Sequence, residues 1–458
     1  MNEKRSAIDY RAKALIPFGV FLVLYVGCGI VFTILGEDSP FWMMPRYVAM
    51  MAAILVGLFC FDRKTKLTEK VDIYCAGAGK PGIMQLGLIL LLAGGFANSV
   101  AAIGGKESMV NFGISIIPTQ FLIPGIFLIC CIISTCIGTS MGTQVTMIPV
   151  AIALAQGAGL NVAMAGAAAI AGAYFGDNLS MISDTTIAAT QGVGANMTDK
   201  FKMNFLIALP AAIITIILYA VMSMNGAGAA TAVAAGDYNL LTILPYVAVI
   251  VLALAGLDVI VVLTIGTGLS CVIGLLTGSL GFFGWAQAVG SGMEDMFWLA
   301  VFAMMISGMV ELVRYFGGIA YLLEVARKKI SSRKSCEYII GLVSMIISGI
   351  TLNNTVAIIV SAPLAKDLGG NYKIAPKRLA SLLDIFGAAA LMVVPHDSGM
   401  LLVQQYAAEY GSSITYIDIV KYAFYPVLLI LFTCLTVQLG LLRTPEEKAA
   451  IAADKANK

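Results

Sequence analysis

Charge is what this sequence has little of. Lys, Arg, Asp and Glu make up 12% of its 458 residues, 28 basic against 26 acidic, whereas a soluble domain carries about 25%. Apolar residues make up 59%, and the mean hydropathy is +0.92. Charge this thin excludes a soluble enzyme, a disordered chain and a nucleic-acid binder, which would need a concentrated basic face. Histidine is nearly missing: His396 stands alone, so no multi-His metal centre exists. The nine cysteines include no C-x-x-C pair and lie mostly inside apolar runs, where they read as small buried hydrophobes.

What is present is a series of apolar runs of membrane-crossing length. The first, after Lys4, Arg5, Arg11 and Lys13, reaches Gly36 with no small-residue cleavage site behind it; it reads as a span, not a signal peptide. A crossing helix needs roughly 20 apolar residues, and cytoplasmic loops are rich in Lys and Arg. Segments 14–36 and 41–61 are two spans joined by the acidic turn Glu37-Asp38. The flanking segments are basic (the N-terminus, then Arg63, Lys64, Lys66, Lys70 and Lys80), which puts both inside. A third span, 82–103, leads out to a loop holding only Lys106 and Glu107.

Two later basic clusters are Arg327, Lys328, Lys329, Arg333, Lys334 and then Lys366, Lys373, Lys377, Arg378. The apolar segment between them, 336–365, is shorter than the roughly 40 residues two crossings require. With both clusters cytoplasmic, it is expected to be a re-entrant helical hairpin with its tip at Thr351-Leu352-Asn353-Asn354-Thr355. Irregular backbone at that depth must be packed in protein or face a watery cavity.

The chain also repeats itself. Leu91–Phe96 ending in Gly104-Gly105 resembles Met304–Met309 ending in Gly317-Gly318 at an offset of 213. Thr139–Thr143 falls on Thr351–Thr355 at 212, and Phe175-Gly176 on Phe386-Gly387 at 211. Three matches in order argue for duplication, and the reversed loop charge argues that the halves are inverted. The expected fold is an all-α polytopic membrane protein of two inverted halves, 14–224 and 239–441, each with about five transmembrane helices and one re-entrant hairpin. A linker, 225–238, joins them, and the N-terminus (1–13) and tail (442–458) are cytoplasmic.

Segments 160–190 and 379–408 would each be about 45 Å long as straight helices, against a hydrocarbon core of about 30 Å. Each has a polar centre, Gly176–Ser180 in one and Pro395–Gly399 in the other, so both are expected to be discontinuous at the midplane. Broken helices and hairpin tips meeting there are where secondary transporters bind ions and substrate. A carboxylate at that depth is functional by default. Asp177, Ser180 and Asp184 would share one face of a continuous helix, with helix capping the alternative for Asp184. His396-Asp397 reads as a proton site, a substrate hydrogen-bonder or a buried pair closing a helix break. Glu311 and Arg314 read as a structural pair, and Asp258 and Asp384 as loop or cap residues.

Gly176-Asp177-Asn178-Leu179-Ser180-Met181-Ile182-Ser183-Asp184-Thr185-Thr186, preceded by Gly138-Thr139-Ser140-Met141-Gly142-Thr143, resembles the signature of the NhaC family of sodium/proton antiporters. That signature is G-D-x-x-S-P-x-S-D-T-T preceded by G-T-S-x-G-T. Met181 replaces its Pro, and Asn178 stands where many members carry Lys. The resemblance implies a two-hairpin inverted repeat, an elevator-like mobile core and a homodimer in the lipid of a bacterial-type cytoplasmic membrane. It leaves the substrate open, since similar proteins exchange malate and lactate, and some carry amino acids.

The expectation is therefore a secondary active transporter, not an enzyme, with Na⁺ and H⁺ as coupling ions and no further cofactor. Its candidate ion and substrate ligands are Thr139, Ser140, Thr143, Asp177, Asn178, Ser180, Ser183, Asp184, Thr185, Asn353, Asn354, Thr355, His396, Asp397 and Ser398. Na⁺ is assigned to Thr139, Thr143, Asp177, Asn353 and Thr355, whose oxygens suit a hard cation. The rival reading is a Na⁺-coupled symporter or exchanger of an amino acid or small carboxylate. A remote one is an intramembrane serine hydrolase with a Ser140–His396 dyad, although an apolar hairpin cannot supply the strand–turn–helix of a nucleophile elbow.

Overall fold

The computed structural model describes residues 10–35, 43–62, 64–116, 118–181, 183–227, 237–255, 257–445 and 447. Positions 1–9, the Glu37-Asp38 turn, Arg63, linker residues 228–236 and tail residues 446 and 448–458 lie outside the described residues.

Every regular element among the described residues is helical. A 3₁₀ turn, Arg11–Leu15, leads into α1 (Ile16–Leu22), which runs through a π turn, Val23–Gly27, into α2 (Cys28–Ile34). Then come α3 (Arg46–Phe59), α4 (Leu67–Ala78), α5 (Pro81–Ala102), α6 (Gly105–Ile116), α7 (Thr119–Ile137), α8 (Ser140–Gly157), α9 (Val162–Leu179), α10 (Asp184–Val193) and α11 (Met197–Ala227). The second part holds α12 (Leu240–Leu254), α13 (Val259–Thr277), α14 (Phe282–Tyr315), α15 (Gly318–Lys328), α16 (Arg333–Thr351) and α17 (Asn354–Asn371). It closes with α18 (Pro376–Leu391), α19 (Ser398–Glu409), α20 (Tyr416–Val420) and α21 (Phe424–Leu439). Seven of the described helical stretches are long and apolar enough to cross a membrane, the one from Arg11 to Phe32 and α14 among them. The chain is a multi-pass membrane protein.

Two turns organise the interior. α7 stops at Gly138, in the left-handed region at φ 77, and Thr139, extended at φ −147, caps α8. α16 stops at Leu352, also left-handed at φ 51, and Asn353, at φ −149, caps α17. A left-handed residue is the usual way to end a helix, but Leu there carries a steric cost that Gly avoids. By this geometry Thr139 matches Asn353, not Thr351, so the sequence pairing of the two turns was two residues out of step. Polar side chains in an apolar run mark both turns correctly, because the cap must satisfy the first N–H groups of the helix that follows.

The open ends of α16 and α17 meet. Arg327 pairs with Asp367, and Arg333 Nη1 donates to the Lys373 carbonyl at 2.9 Å. The two basic clusters thus lie at one end of the molecule. Arg11 joins the same end through Glu324 at 3.1 Å, where the Lys328 ammonium and the Arg11 guanidinium hold the Glu324 carboxyl below its ordinary range.

α9, rich in Ala and Gly, is buried along almost its whole length, as is α18. Small residues let neighbouring backbones approach closely where hydrophobic transfer gives no driving force. A Cβ on Gly176 would sit 2.5 Å from the Cys131 carbonyl oxygen of α7. A matching hydrogen bond fastens each turn to its neighbour: Ser134 Oγ donates to the Ala173 carbonyl, and Ser344 Oγ to the Leu383 carbonyl at 2.6 Å. Both bonds span 39 residues of chain. α5 and α14 also run backbone to backbone, since a Cβ on Gly94 would fall 1.9 Å from the Gly292 carbonyl oxygen.

Both overlong segments are interrupted, as their length requires. α9 ends at Leu179 and α10 starts at Asp184; α18 ends at Leu391 and α19 starts at Ser398. The first break corrects one expectation, because Asp177, Ser180 and Asp184 do not share a face of one helix. Asp177 lies in the last turn of α9, and Asp184 is the first residue of α10. Ser183 caps α10 by accepting from the Thr185 N–H at 3.2 Å, and Asp397 caps α19 by accepting from the Gly399 N–H at 2.9 Å.

Candidate functional site

The two turns and the two breaks come together in the protein interior. Asp177, 3% exposed, is the centre of one half of the cluster. Ser183 Oγ donates to its Oδ1 at 2.6 Å across the α9–α10 break, and Ser140 Oγ donates to its Oδ2 at 3.2 Å from the first turn. Ser183 also shares a hydrogen bond with Thr185 Oγ1 at 2.8 Å. The second turn reaches the same break, with Thr355 Oγ1 donating to Asp184 Oδ2 at 2.7 Å. Each turn therefore supplies a hydroxyl to a different carboxylate of the Asp177–Asp184 segment.

Behind this layer lies a charge pair that sequence reading missed. Lys200 of α11 and Asp384 of α18 are 2.6 Å apart, with side chains 1% and 0% exposed. Lys200 Nζ also donates to the Asn178 carbonyl at 2.9 Å and to Thr186 Oγ1 at 2.7 Å. Asp384 accepts from Asn354 Nδ2 at 3.1 Å and from Asn204 Nδ2 at 3.1 Å. Asp384 is thus not a loop or cap residue. A buried carboxylate needs a counter-charge and hydrogen bonds to both oxygens, and this one has them. Asn178 takes part through its backbone carbonyl.

Other expected ligands are placed differently. Thr139 Oγ1 accepts from the Gly142 N–H at 3.5 Å, Asn353 Oδ1 accepts from the Val356 N–H at 2.9 Å, and Thr143 Oγ1 donates to the Thr139 carbonyl at 3.1 Å. These bonds serve the turns themselves, and no hydrogen bond among the described residues joins Thr139, Thr143 or Asn353 to Asp177. Ser180 is buried in the α9–α10 break. Asp258 caps α13, as expected, through the Ile260 N–H at 2.8 Å. Glu311 meets Arg314 at 3.5 Å but lies nearer to Lys80, at 2.6 Å.

Among the described residues, His396 makes no hydrogen bond to the carboxylate cluster. It is 2% exposed and packs edge-on against Phe21 and Phe18 at ring distances of 5.2 and 5.6 Å, with the Gly349 backbone as the polar group beside its ring. With Thr351, Leu352 and Ser398 it lines a void of about 30 Å³. Ser140 bonds to Asp177, so the hydrolase dyad does not form.

Helical breaks and turns that face buried carboxylates with hydroxyls, inside a multi-pass bundle, define a membrane transporter for a small polar solute or ion. The pattern of the Na⁺/H⁺ antiporter family matches residues 11–224 and 230–443. The chain belongs to that family, a family of transporters and not of enzymes. It is 25% identical over 374 residues to the Na⁺/H⁺ antiporter NhaC of Alkalihalophilus pseudofirmus, covering 74% of this chain and 79% of that protein. Identity to the malate-2H⁺/Na⁺-lactate antiporter of Bacillus subtilis is 26% over 219 residues, 47% of this chain and 44% of that one. With the arginine/ornithine antiporter ArcD of Halobacterium salinarum it is 23% over 382 residues, 74% of this chain and 76% of that one. The matches thus span about four fifths of one of these relatives and under half of another.

Proposed function

We propose that this protein exchanges Na⁺ for H⁺ across a bacterial-type cytoplasmic membrane, with Asp177 as the carboxylate that binds the two ions alternately. The observation that carries this reading is the convergence of Ser140, Ser183 and Asp177 at one break, beside Asp184 and Thr355. A carboxylate ringed by hydroxyls is a hard-oxygen site of the kind such a cation takes. Thr139, Thr143 and Asn353 stand as ligands for a state in which the turns have opened, along with the Thr139 carbonyl that Thr143 now satisfies.

The halves read as an inverted repeat with one re-entrant hairpin each. Support comes from the paired turns at Gly138 and Leu352, the paired 39-residue struts, and the glycines Gly104 and Gly317, both left-handed and both starting a helix. The turns and broken helices would move as one body in an elevator-like step, because Ser140–Asp177, Thr355–Asp184 and Asn354–Asp384 fasten them together. A homodimer would supply the fixed frame.

The test is a proteoliposome assay with a pH dye inside the vesicles. An imposed Na⁺ gradient should drive proton movement in the opposite direction with no organic solute present. Absence of that movement, with Na⁺ flux appearing only when an amino acid or carboxylate is added, would replace this reading with solute-coupled transport. That second reading is favoured by the matches to a malate–lactate and an arginine/ornithine antiporter.

A further inference from the structure

A second cavity, of about 330 Å³, lies away from the carboxylate cluster, between the start of α3, the middle of α14 and α19. That volume falls in the range of small-molecule sites. Its walls carry Arg46, Glu294, Asp295, Gln404 and the aromatic pair Tyr47 and Trp298, whose rings stack at 5.5 Å. Arg46 is at the N-terminal end of α3. The opposite end of α3 reaches Leu58, whose carbonyl accepts from Lys70 at 2.9 Å, near the Tyr10–Phe61–Phe316 aromatic cluster. The cavity is therefore on the far side from the basic clusters.

Its charges are not matched to one another. Asp295 accepts from the uncharged Asn98 amide at 2.9 Å, and neither Arg46, Glu294 nor Asp295 takes part in a described ion pair. Arg46 and Asp295 are half-buried and Glu294 is exposed at the mouth, and ionisable side chains set into apolar membrane helices are by default ligand sites. Here one guanidinium, reinforced by the positive end of α3, faces two carboxylates across an open space.

We propose that this cavity is an outer binding site for a cationic α-amino acid. The ligand's carboxylate would meet Arg46, its α-ammonium Asp295, and a side-chain ammonium or guanidinium Glu294, against the faces of Trp298 and Tyr47. A neutral zwitterion leaves one carboxylate unpaired, and a dicarboxylate meets two like charges. The site also leads inward. The Arg46 guanidinium lies 5.8 Å over the Phe302 ring, and Phe302 lines the void at His396 and packs 6.1 Å from Phe21. Phe302 thus touches both the Arg46 side of this cavity and the void beside the second turn.

Tritiated L-arginine binding to the purified full-length protein tests this in Na⁺-free detergent buffer. Binding there needs no transport, so failure here and failure of Na⁺/H⁺ exchange register separately. The expected result is saturable binding displaced by L-lysine. 1,4-Diaminobutane and succinate, each lacking one of the two groups, should compete about tenfold more weakly or worse, the worth of one charge-assisted contact. Arg46→Gln should weaken arginine binding by about tenfold or more. Glu294→Gln should bring arginine and alanine to similar affinities. Phosphatidylethanolamine carries the same pair of charges as a lipid headgroup. If it binds in nanodiscs while no free amino acid does, the proposal fails. It fails equally if wild-type protein shows no saturable arginine binding, or if neither variant changes it.

Discussion

Lys200 and Asp384 are joined at 2.6 Å inside the bundle, and the same ammonium ties the α9–α10 break to α11 through the Asn178 carbonyl and Thr186. This pair holds the second turn as well, because Asn354 bonds to the same carboxylate. Removing one member leaves an uncompensated buried charge, at a cost of about 3–5 kcal/mol, whereas replacing both by apolar residues of similar volume is far milder. Lys200→Met and Asp384→Leu should therefore each lower the thermal unfolding temperature in detergent more than the double variant does. A single variant as stable as wild type would mean that the pair does not hold the core together.

How the sequence announces these features differs from one to the next. The turns at Gly138 and Leu352 are visible because Thr139, Ser140, Asn353 and Asn354 interrupt apolar runs, and lipid does not tolerate such residues without a reason. The break at Ser180–Ser183 is visible from length and polarity, yet Ser183-Asp184-Thr185-Thr186 is also a helix-start signal. Read that way, it would have shown that Asp177 and Asp184 belong to different helices. The Lys200–Asp384 pair leaves no local trace. Asp384 lies near the start of segment 379–408, where a charge is ordinary, Lys200 stands between apolar runs, and only packing α11 against α18 carries both into the interior. The cavity at Arg46 is hidden for the same reason, since its walls come from four distant stretches of chain.

Asp177 is held by two hydroxyls rather than by a counter-charge, so its own charge is available to a transported ion. Asp177→Asn keeps the shape and removes that charge. Na⁺-driven proton movement in proteoliposomes should fall to background while the protein still elutes as a single species and unfolds within a few degrees of wild type. Full flux from this variant would make Asp177 structural.

Gly387 lets the second turn reach its anchor. A Cβ there would stand 1.9 Å from Asn354 Oδ1, whereas one on Gly349 meets only Val394 at 3.5 Å, an ordinary contact. Gly387→Ala should push Asn354 away from Asp384 and cost stability and transport together. Gly349→Ala should be nearly neutral or slightly stabilising, since Ala favours a helix by about 1 kcal/mol over Gly. Equal thermal shifts for the two variants would contradict this packing.

Arg327–Lys334 and Lys366–Arg378 meet at one end of the molecule through Arg327–Asp367 and Arg333–Lys373. On a cysteine-free background, single cysteines at 331 and 370 should therefore react with an impermeant maleimide from the same side of the membrane, the cytoplasmic one. Labelling of the two from opposite sides would remove the hairpin and the inverted-repeat reading that rests on it.

His396 separates the two transport readings. Its ordinary pKa near 6.5 makes histidine the side chain most ready to change charge around neutral pH. This one packs against Phe18 and Phe21, beside a void of about 30 Å³. That space admits about one water-sized group, so an organic solute reaches the imidazole only in a state where the void has widened. The carboxylates of the α9–α10 segment are placed to carry the coupled proton without it. His396→Gln, which cannot gain a charge and sets its amide at a different reach from the imidazole nitrogens, should leave the pH dependence of Na⁺-driven flux unchanged. The same variant should weaken the affinity for any co-transported amino acid or carboxylate by about tenfold, the worth of one hydrogen bond to a charged group. Parallel flux measurements across pH 6–9 and solute titrations in proteoliposomes read both effects. A flattened pH profile with normal solute affinity would reverse the assignment and make His396 the proton carrier.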